Sequence, residues 1–192
     1  ADAGYTYTAE ERGALAQVAD DLAYGLASLR AKARQQAQAA QLRQLSRALE
    51  SSSNGVMITS SIQLDHPIVY VNPAFEAITG YRADEVIGSA GRFLVRDDLN
   101  QKGLNDIRDA LRNHREGHAI LRNYRKDGSL FWNELYISPV RDEEGAITTH
   151  FVSIINDVTA RIDYERQLEY HANHDTLTGL ANRNLLGDRI SQ

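Results

Sequence analysis

The chain has 192 residues, a formal net charge of −5 and no cysteine. The missing cysteine excludes disulfides, zinc–thiolate sites, iron–sulfur clusters and thiol nucleophiles, and the acidic balance argues against a nucleic-acid-binding protein, which would carry a basic face. With 24% charged and 42% hydrophobic residues, the chain is expected to fold as one domain with extra elements or as two small domains.

No apolar run reaches the length that crosses a bilayer, and the polar start Ala1-Asp2-Ala3-Gly4 does not read as a signal peptide. A cytoplasmic location is expected. The chain reads as cut at both ends, since it lacks an initiator Met and stops at Gln192 without a closing element. A membrane anchor or an enzyme would then lie outside it.

From about Thr8 to Leu49 there is no proline and the composition favours helix. Thr8 followed by Glu11 makes a capping box. Leu15, Val18, Leu22, Leu26, Leu29, Ala33, Ala37 and Ala40 recur at spacings of three and four, and Leu42, Leu45 and Leu49 continue on a shifted phase. One small domain cannot cover so long a stripe, so residues 1–50 predict a parallel coiled-coil linker in a homodimer. Ser51-Ser52-Ser53-Asn54-Gly55 breaks the helix.

Val56–Thr59 and Ile68–Val71 read as short strands. Asn72-Pro73 opens a helix, with Asn as cap and Pro at the first helical position, and Gly80 closes it. A short turn spans Asp84–Ile87, and an amphipathic helix is predicted over Asn105–His114. Three strands follow, near His118–Arg125, Leu130–Val140 and Ile147–Val158, joined by Lys126-Asp127-Gly128 and Asp142-Glu143-Glu144-Gly145. Residues 160–174 read as a polar connector helix on which Ile162, Tyr164 and Leu168 face a partner. The order predicts an α+β fold: a five-stranded antiparallel sheet with helices on one face, flanked by long N-terminal and C-terminal connector helices.

Three stretches carry a family resemblance. Val71-Asn72-Pro73-Ala74-Phe75-Glu76-Ala77-Ile78-Thr79-Gly80-Tyr81, Glu85-Val86-Ile87-Gly88, Asp127-Gly128-Ser129, Trp132-Asn133 and Asp157-Val158-Thr159 together resemble a PAS sensor domain over residues 51–159, nearest to the flavin-binding LOV subgroup. Asp175-Thr176-Leu177-Thr178-Gly179-Leu180-Ala181-Asn182-Arg183 resembles the opening of a GGDEF domain, the diguanylate cyclase module. Residues 175–192 would be a truncated start of it, without the Gly-Gly-Asp/Glu-Glu-Phe loop. The stretch from Thr8 to Arg30 is similar to the last helix of a GAF domain.

The LOV resemblance implies a flavin site residue by residue. Gly88-Ser89-Ala90-Gly91-Arg92-Phe93-Leu94-Val95 aligns with the motif Gly-x-Asn-Cys-Arg-Phe-Leu-Gln. Gly91 stands at the photoactive cysteine, Ala90 at its Asn neighbour, Val95 at the Gln that bonds the ribityl chain, and Ile155 at the last-strand Gln that senses the ring. Arg92 and Arg108 match the two arginines that hold the flavin phosphate, and Asn123 and Asn133 match the two amides at the ring's polar edge. A guanidinium suits phosphate oxygens and an amide offers both donor and acceptor. The resemblance implies FMN, or a descendant flavin pocket standing empty. Without a thiol at Gly91, the family's light-driven thiol chemistry is not available.

A register argument tests whether one ligand can meet both amides. A two-residue turn at Asp127-Gly128 would pair Asn123 with Trp132 and put Asn133 on the other face. One additional turn residue, with Gly128 in a left-handed bulge, brings Asn123 and Asn133 to the same face with Leu121, Phe131 and Leu135. The second arrangement is expected.

No catalytic or metal site is expected in this chain: His171 and His174 lack a third ligand, and no Ser–His–Asp spacing or phosphate-binding glycine loop is present. The functional expectation is a sensory and dimerising module that regulates a downstream diguanylate cyclase domain, in cis, through linker helices. The alternatives are a ligand-free spacer that holds dimer register and a flavin-bound redox sensor.

Overall fold

The computed structural model describes residues 8–173. The GGDEF-like stretch 175–192 lies outside the described residues. The chain divides into two units, residues 1–48 and 49–192.

Helix α1 runs unbroken over Ala9–Glu50. The Thr8–Glu11 box opens it: the Thr8 backbone N–H donates to Glu11 Oε2 at 2.8 Å, and the Glu11 N–H donates to Thr8 Oγ1 at 3.3 Å. Leu15, Leu22, Leu26 and Leu29 are exposed on the single chain. Among the described residues, no helix is long and apolar enough to cross a membrane.

The second unit is built on one antiparallel sheet of β1 (Gly55–Ser60), β2 (Ile68–Val71), β3 (Gly117–Tyr124), β4 (Leu130–Arg141) and β5 (Thr148–Asp157). The spatial order is β2-β1-β5-β4-β3. Between β2 and β3 the chain forms α2 (Pro73–Thr79), α3 (Ala83–Val86), a 3₁₀ turn at Gly91–Leu94, and α4 (Lys102–Arg112). Helix α5 (Thr159–Asn173) leaves the sheet directly after β5.

Period-two burial along β3, β4 and β5 directs one set of side chains into the core. Leu121, Phe131, Leu135, Phe151 and Ile155 from the sheet pack with Phe75, Val86, Leu94, Leu104 and Ile107 from the helical segment. Phe75, Phe131 and Phe151 are completely enclosed, each contributing on the order of 2–3 kcal/mol of hydrophobic stabilisation.

Asn72 joins three elements. Its Oδ1 accepts from the N–H groups of Phe75 (2.9 Å) and Val56 (2.8 Å), and its Nδ2 donates to the carbonyls of Leu49 and Asn54, both at 3.0 Å. The N-cap expected from the Asn-Pro pair is therefore also the bond between α2, the start of β1 and the end of α1.

Helix α4 starts at Lys102, three residues before the expected Asn105. No side chain caps its first turn. The residue before it, Gln101, bonds sideways to β3, accepting from the Arg122 N–H at 2.7 Å and donating to the Arg122 carbonyl at 3.0 Å. A start fixed by a cross-chain bond leaves no capping pattern in the local sequence.

Candidate functional site

The β3–β4 hairpin sets the site. Gly128 has φ +92, and its N–H donates to the Arg125 carbonyl at 3.0 Å, while the Arg125 N–H donates to the Ser129 carbonyl at 2.9 Å. A three-residue turn with a left-handed glycine results, and the ladder pairs Asn123 with Phe131 and Leu121 with Asn133. Asn123 and Asn133 thus share the helical face of the sheet, the arrangement expected from Gly128. Both are almost wholly buried, at 2% and 1% exposure.

A cavity of about 650 Å³ lies between this face and the helical segment, within the range of small-molecule sites. All seven candidate residues, Gly91, Arg92, Val95, Arg108, Asn123, Asn133 and Ile155, line it. Met57, Leu94, Leu121, Leu135 and Ile137 supply much of its apolar wall. Gly91 matters by its size: a Cβ there would come within 3.1 Å of Met57 Cε and 3.4 Å of Met57 Sδ.

The amides form a directed relay. Asn123 Nδ2 donates to the Arg122 carbonyl at 2.9 Å, which turns Asn123 Oδ1 toward Asn133, whose Nδ2 donates to it at 2.8 Å. The orientation of each amide is fixed by this order, because a carbonyl only accepts. Asn133 Oδ1 is left over, the one buried side-chain polar atom among the described residues without a hydrogen-bond partner. A buried acceptor without a donor costs about 1–3 kcal/mol. It fits a planar ligand that brings an N–H group, as the polar edge of a flavin does.

The two arginines stand at the edge. Arg92 Nη1 lies 3.4 Å from Asp65 Oδ1, with both side chains mostly exposed. Arg108 Nη1 contacts the neutral Asn105 Oδ1 at 3.5 Å. Two guanidinium groups at the rim of an apolar cavity can receive a phosphate. The polar groups therefore fit FMN at both ends, one free amide acceptor at the wall and a cationic rim. Val95 and Ile155 are buried apolar residues, so they bring no polar side chain to the tail or the ring.

Sequence reasoning missed Asp65 and His66, which also line the cavity; their loop contacts depend on residues distant in sequence. It also missed the clasp between β4 and α5, made by the Trp132 backbone in the plane of the sheet and by the Trp132 and Glu134 side chains on the face away from the cavity. There the Trp132 N–H donates to Thr159 Oγ1 at 2.9 Å, and the Val158 N–H donates to the Trp132 carbonyl at 2.9 Å. The Arg166 guanidinium lies 5.1 Å from the Trp132 ring centre. Glu134 Oε1 meets Arg161 Nη2 of α5 at 3.4 Å and His118 Nε2 at 3.5 Å. Burial pushes the Glu134 carboxyl upward, but Arg161, His118 and Asn156 outweigh it and hold the group below its ordinary value. Asp157 closes the first turn of α5, accepting from the Thr159 N–H at 3.0 Å and from Arg125 Nη2 at 2.8 Å.

Comparison with known proteins agrees with this fold. The PAS domain family model matches residues 53–160. A blue-light photoreceptor from Listeria monocytogenes is 44% identical over 123 residues, 64% of this chain and 48% of that protein. A blue-light-activated histidine kinase from Brucella anthropi is 39% identical over 64% of this chain and 25% of its own length. Among solved structures, an RNA-binding light-oxygen-voltage receptor matches with a TM-score of 0.64 at 38% identity, over 70% of this chain and 37% of that one. The LOV domain of an Erythrobacter litoralis blue-light-activated histidine kinase matches with a TM-score of 0.52 at 35% identity, over 55% of this chain and 96% of that one. The chain thus spans about half or less of the two curated relatives. With its sheet order, its helical segment and this match over more than half its length, the chain belongs to the PAS domain family, with LOV-type blue-light photoreceptors among its homologues.

Proposed function

We propose that this chain is the sensory and dimerising module of a longer signalling protein, with FMN as the ligand of its cavity. The unpaired Asn133 Oδ1 at the wall of a 650 Å³ cavity carries this reading, because it asks for a ligand donor where LOV relatives hold flavin. When bound, FMN supplies redox and light-absorbing chemistry. This chain's residues do the rest. Asn123 and Asn133 orient the ring edge, Arg92 and Arg108 hold the phosphate, and the apolar wall excludes water. Gly91 offers no thiol and the chain contains no cysteine, so the response rests on ligand occupancy or redox state.

Strand β4 supports a route outward. Asn133 faces the cavity, while on the other side the Trp132 ring and the Glu134 carboxylate meet Arg166 and Arg161 of α5. A shift of Asn133 on ligand binding is passed to α5 without a long chain of intermediates. The exposed leucines of α1 suit a parallel homodimer, and the GGDEF-like motif after α5 makes a diguanylate cyclase the effector in cis. Regulation then consists of setting how two effector domains meet. The chain itself is a sensor and carries no PAS-borne catalysis.

The test is the absorption spectrum of the purified protein, before and after incubation with FMN. Blue and near-ultraviolet flavin bands that stay with the protein through gel filtration support the reading. A protein that remains colourless after incubation removes it and leaves the ligand-free spacer. In the full-length protein, cyclic di-GMP synthesis that differs between flavin-free and flavin-loaded forms tests the effector.

A further inference from the structure

The two rim arginines are not equivalent. Arg108 contacts a neutral amide, whereas Arg92 is paired with the carboxylate of Asp65. Among the described residues, no carboxylate lies within ion-pair distance of Arg108. Asp65 is also held in an unusual way. It and His66 are consecutive non-glycine residues with left-handed backbones, φ +66 and +49, a conformation uncommon outside glycine.

Several contacts hold this bend. His66 Nδ1 lies 3.1 Å from the Ser60 carbonyl, and since a carbonyl only accepts, Nδ1 carries the proton. The Ser60 N–H donates to the Pro67 carbonyl at 2.9 Å. The His66 ring meets the enclosed Phe151 ring edge-on, with centroids 5.7 Å apart, and Pro67 bridges to Ala90 beside the 3₁₀ turn that carries Arg92. The Asp65 carboxylate is therefore presented at the cavity edge by a tethered loop.

We propose that Asp65 is a specificity residue: its carboxylate competes with the ligand's phosphate for Arg92, and so lowers, without abolishing, the preference for a phosphorylated flavin that Arg92 and Arg108 give. The inference rests on the flavin reading. A carboxylate and a phosphate compete for the same N–H donors, and a phosphate on Arg108 within reach of Arg92 is repelled by Asp65 unless that carboxylate moves away. A ligand with an uncharged tail leaves the Arg92–Asp65 pair intact.

The experiment titrates the intact chain with FMN and with riboflavin, following flavin fluorescence, for wild type and Asp65→Asn at low salt and at high salt. Asn tolerates the left-handed backbone and removes only the charge; Asp65→Gly serves as a second variant for the same bend. The expected result is that preference for FMN over riboflavin rises about three- to tenfold in either variant at low salt, and that the gain shrinks at high salt. Riboflavin affinity should stay within about twofold of wild type, because its tail carries no charge for Asp65 to repel. An unchanged preference in both variants, or equal changes for both flavins, overturns the role of Asp65 while leaving the flavin reading in place. Failure of the wild type to bind either flavin overturns both together.

Discussion

Asn123 and Asn133 lie two rungs apart on the β3–β4 ladder, diagonal neighbours on one face, joined by a 2.8 Å hydrogen bond that leaves a single acceptor unspent. The pair is mutually dependent. Asn133→Leu removes the unpaired acceptor but strands Asn123 Oδ1, so it should destabilise the flavin-free protein by about 1–2 kcal/mol. The double variant Asn123→Leu, Asn133→Leu removes both amides and should return stability to within about 1 kcal/mol of wild type. Neither variant should retain FMN. Urea denaturation of the flavin-free forms, with a double-mutant cycle, reads the coupling; additive losses would show that the two amides do not act as a pair.

Asn72→Ala should cost more than an ordinary helix cap. The cap bond to Phe75 contributes about 0.5–2 kcal/mol, and the Val56 N–H becomes a buried donor without an acceptor, adding about 1–3 kcal/mol. A loss on the order of 2–4 kcal/mol in chemical denaturation is expected. Asn72→Asp keeps the acceptor and loses only the two donated bonds to Leu49 and Asn54, so it should fall between Ala and wild type.

The hairpin register was legible because one residue decides it. Gly128 was placed by the turn chemistry, and a left-handed Gly128 moves the pairing by one and brings both amides to one face. The cavity wall was legible for the same reason that strands alternate: once Asn133 faces inward, so do Phe131 and Leu135. Asp65 was not legible. It acquires its partner 27 residues away through a bend whose tethers are Ser60, Pro67 and Phe151, and no local pattern announces such a bend. The same holds for Thr159, whose hydroxyl serves a strand 27 residues upstream.

Acid should weaken the protein partly through Asp98. Arg122 holds this carboxylate by two bonds, Nε to Oδ2 at 2.7 Å and Nη2 to Oδ1 at 2.8 Å, and Tyr124 Oη adds a third at 3.2 Å. The Arg122 bonds are the main reason that its pKa lies below the ordinary value. A depressed carboxyl pKa stabilises the fold fully above the unfolded value, and that stabilisation is lost as pH falls through the folded one. The loss attributable to Asp98 therefore belongs below about pH 4. Denaturation midpoints measured down a pH series should fall more gently for Asp98→Asn than for wild type in that window, and an identical slope would remove Asp98 as a contributor.

Leu22→Glu should separate dimers without unfolding the sensor. Leu22 is 68% exposed on the single chain, so in the monomer the substitution is close to neutral. In a parallel coiled coil it places two like charges in the seam, where an unpaired buried charge is costly. Light scattering at micromolar concentration should give a dimer mass for wild type and a monomer mass for the variant, with unchanged near-ultraviolet circular dichroism. A wild-type monomer would remove the dimer reading.

Thr159→Val should loosen α5 at its root. Thr159 is the first residue of the helix, and its hydroxyl accepts from the Trp132 N–H at 2.9 Å while donating to Asp157 Oδ1 at 2.6 Å. Valine keeps the shape and loses both bonds, leaving the Trp132 N–H without its acceptor and α5 held by Arg161 on Glu134 and Arg166 on Trp132. The Arg161 and Arg166 side chains are half or more exposed, so these contacts contribute little, about 0–1 kcal/mol each. The variant should therefore exchange amide hydrogens faster over residues 159–166 by about tenfold, equivalent to about 1.4 kcal/mol of local opening, while the β1 and β5 amides stay protected. Trp132 is the only tryptophan in the chain, so its emission reports the same event independently and should shift to longer wavelength as Arg166 withdraws. Faster exchange across the whole sheet would mean that Thr159 supports the core. Unchanged exchange in α5 would mean that β4 does not grip the helix, and the route from Asn133 to the effector would have to run elsewhere.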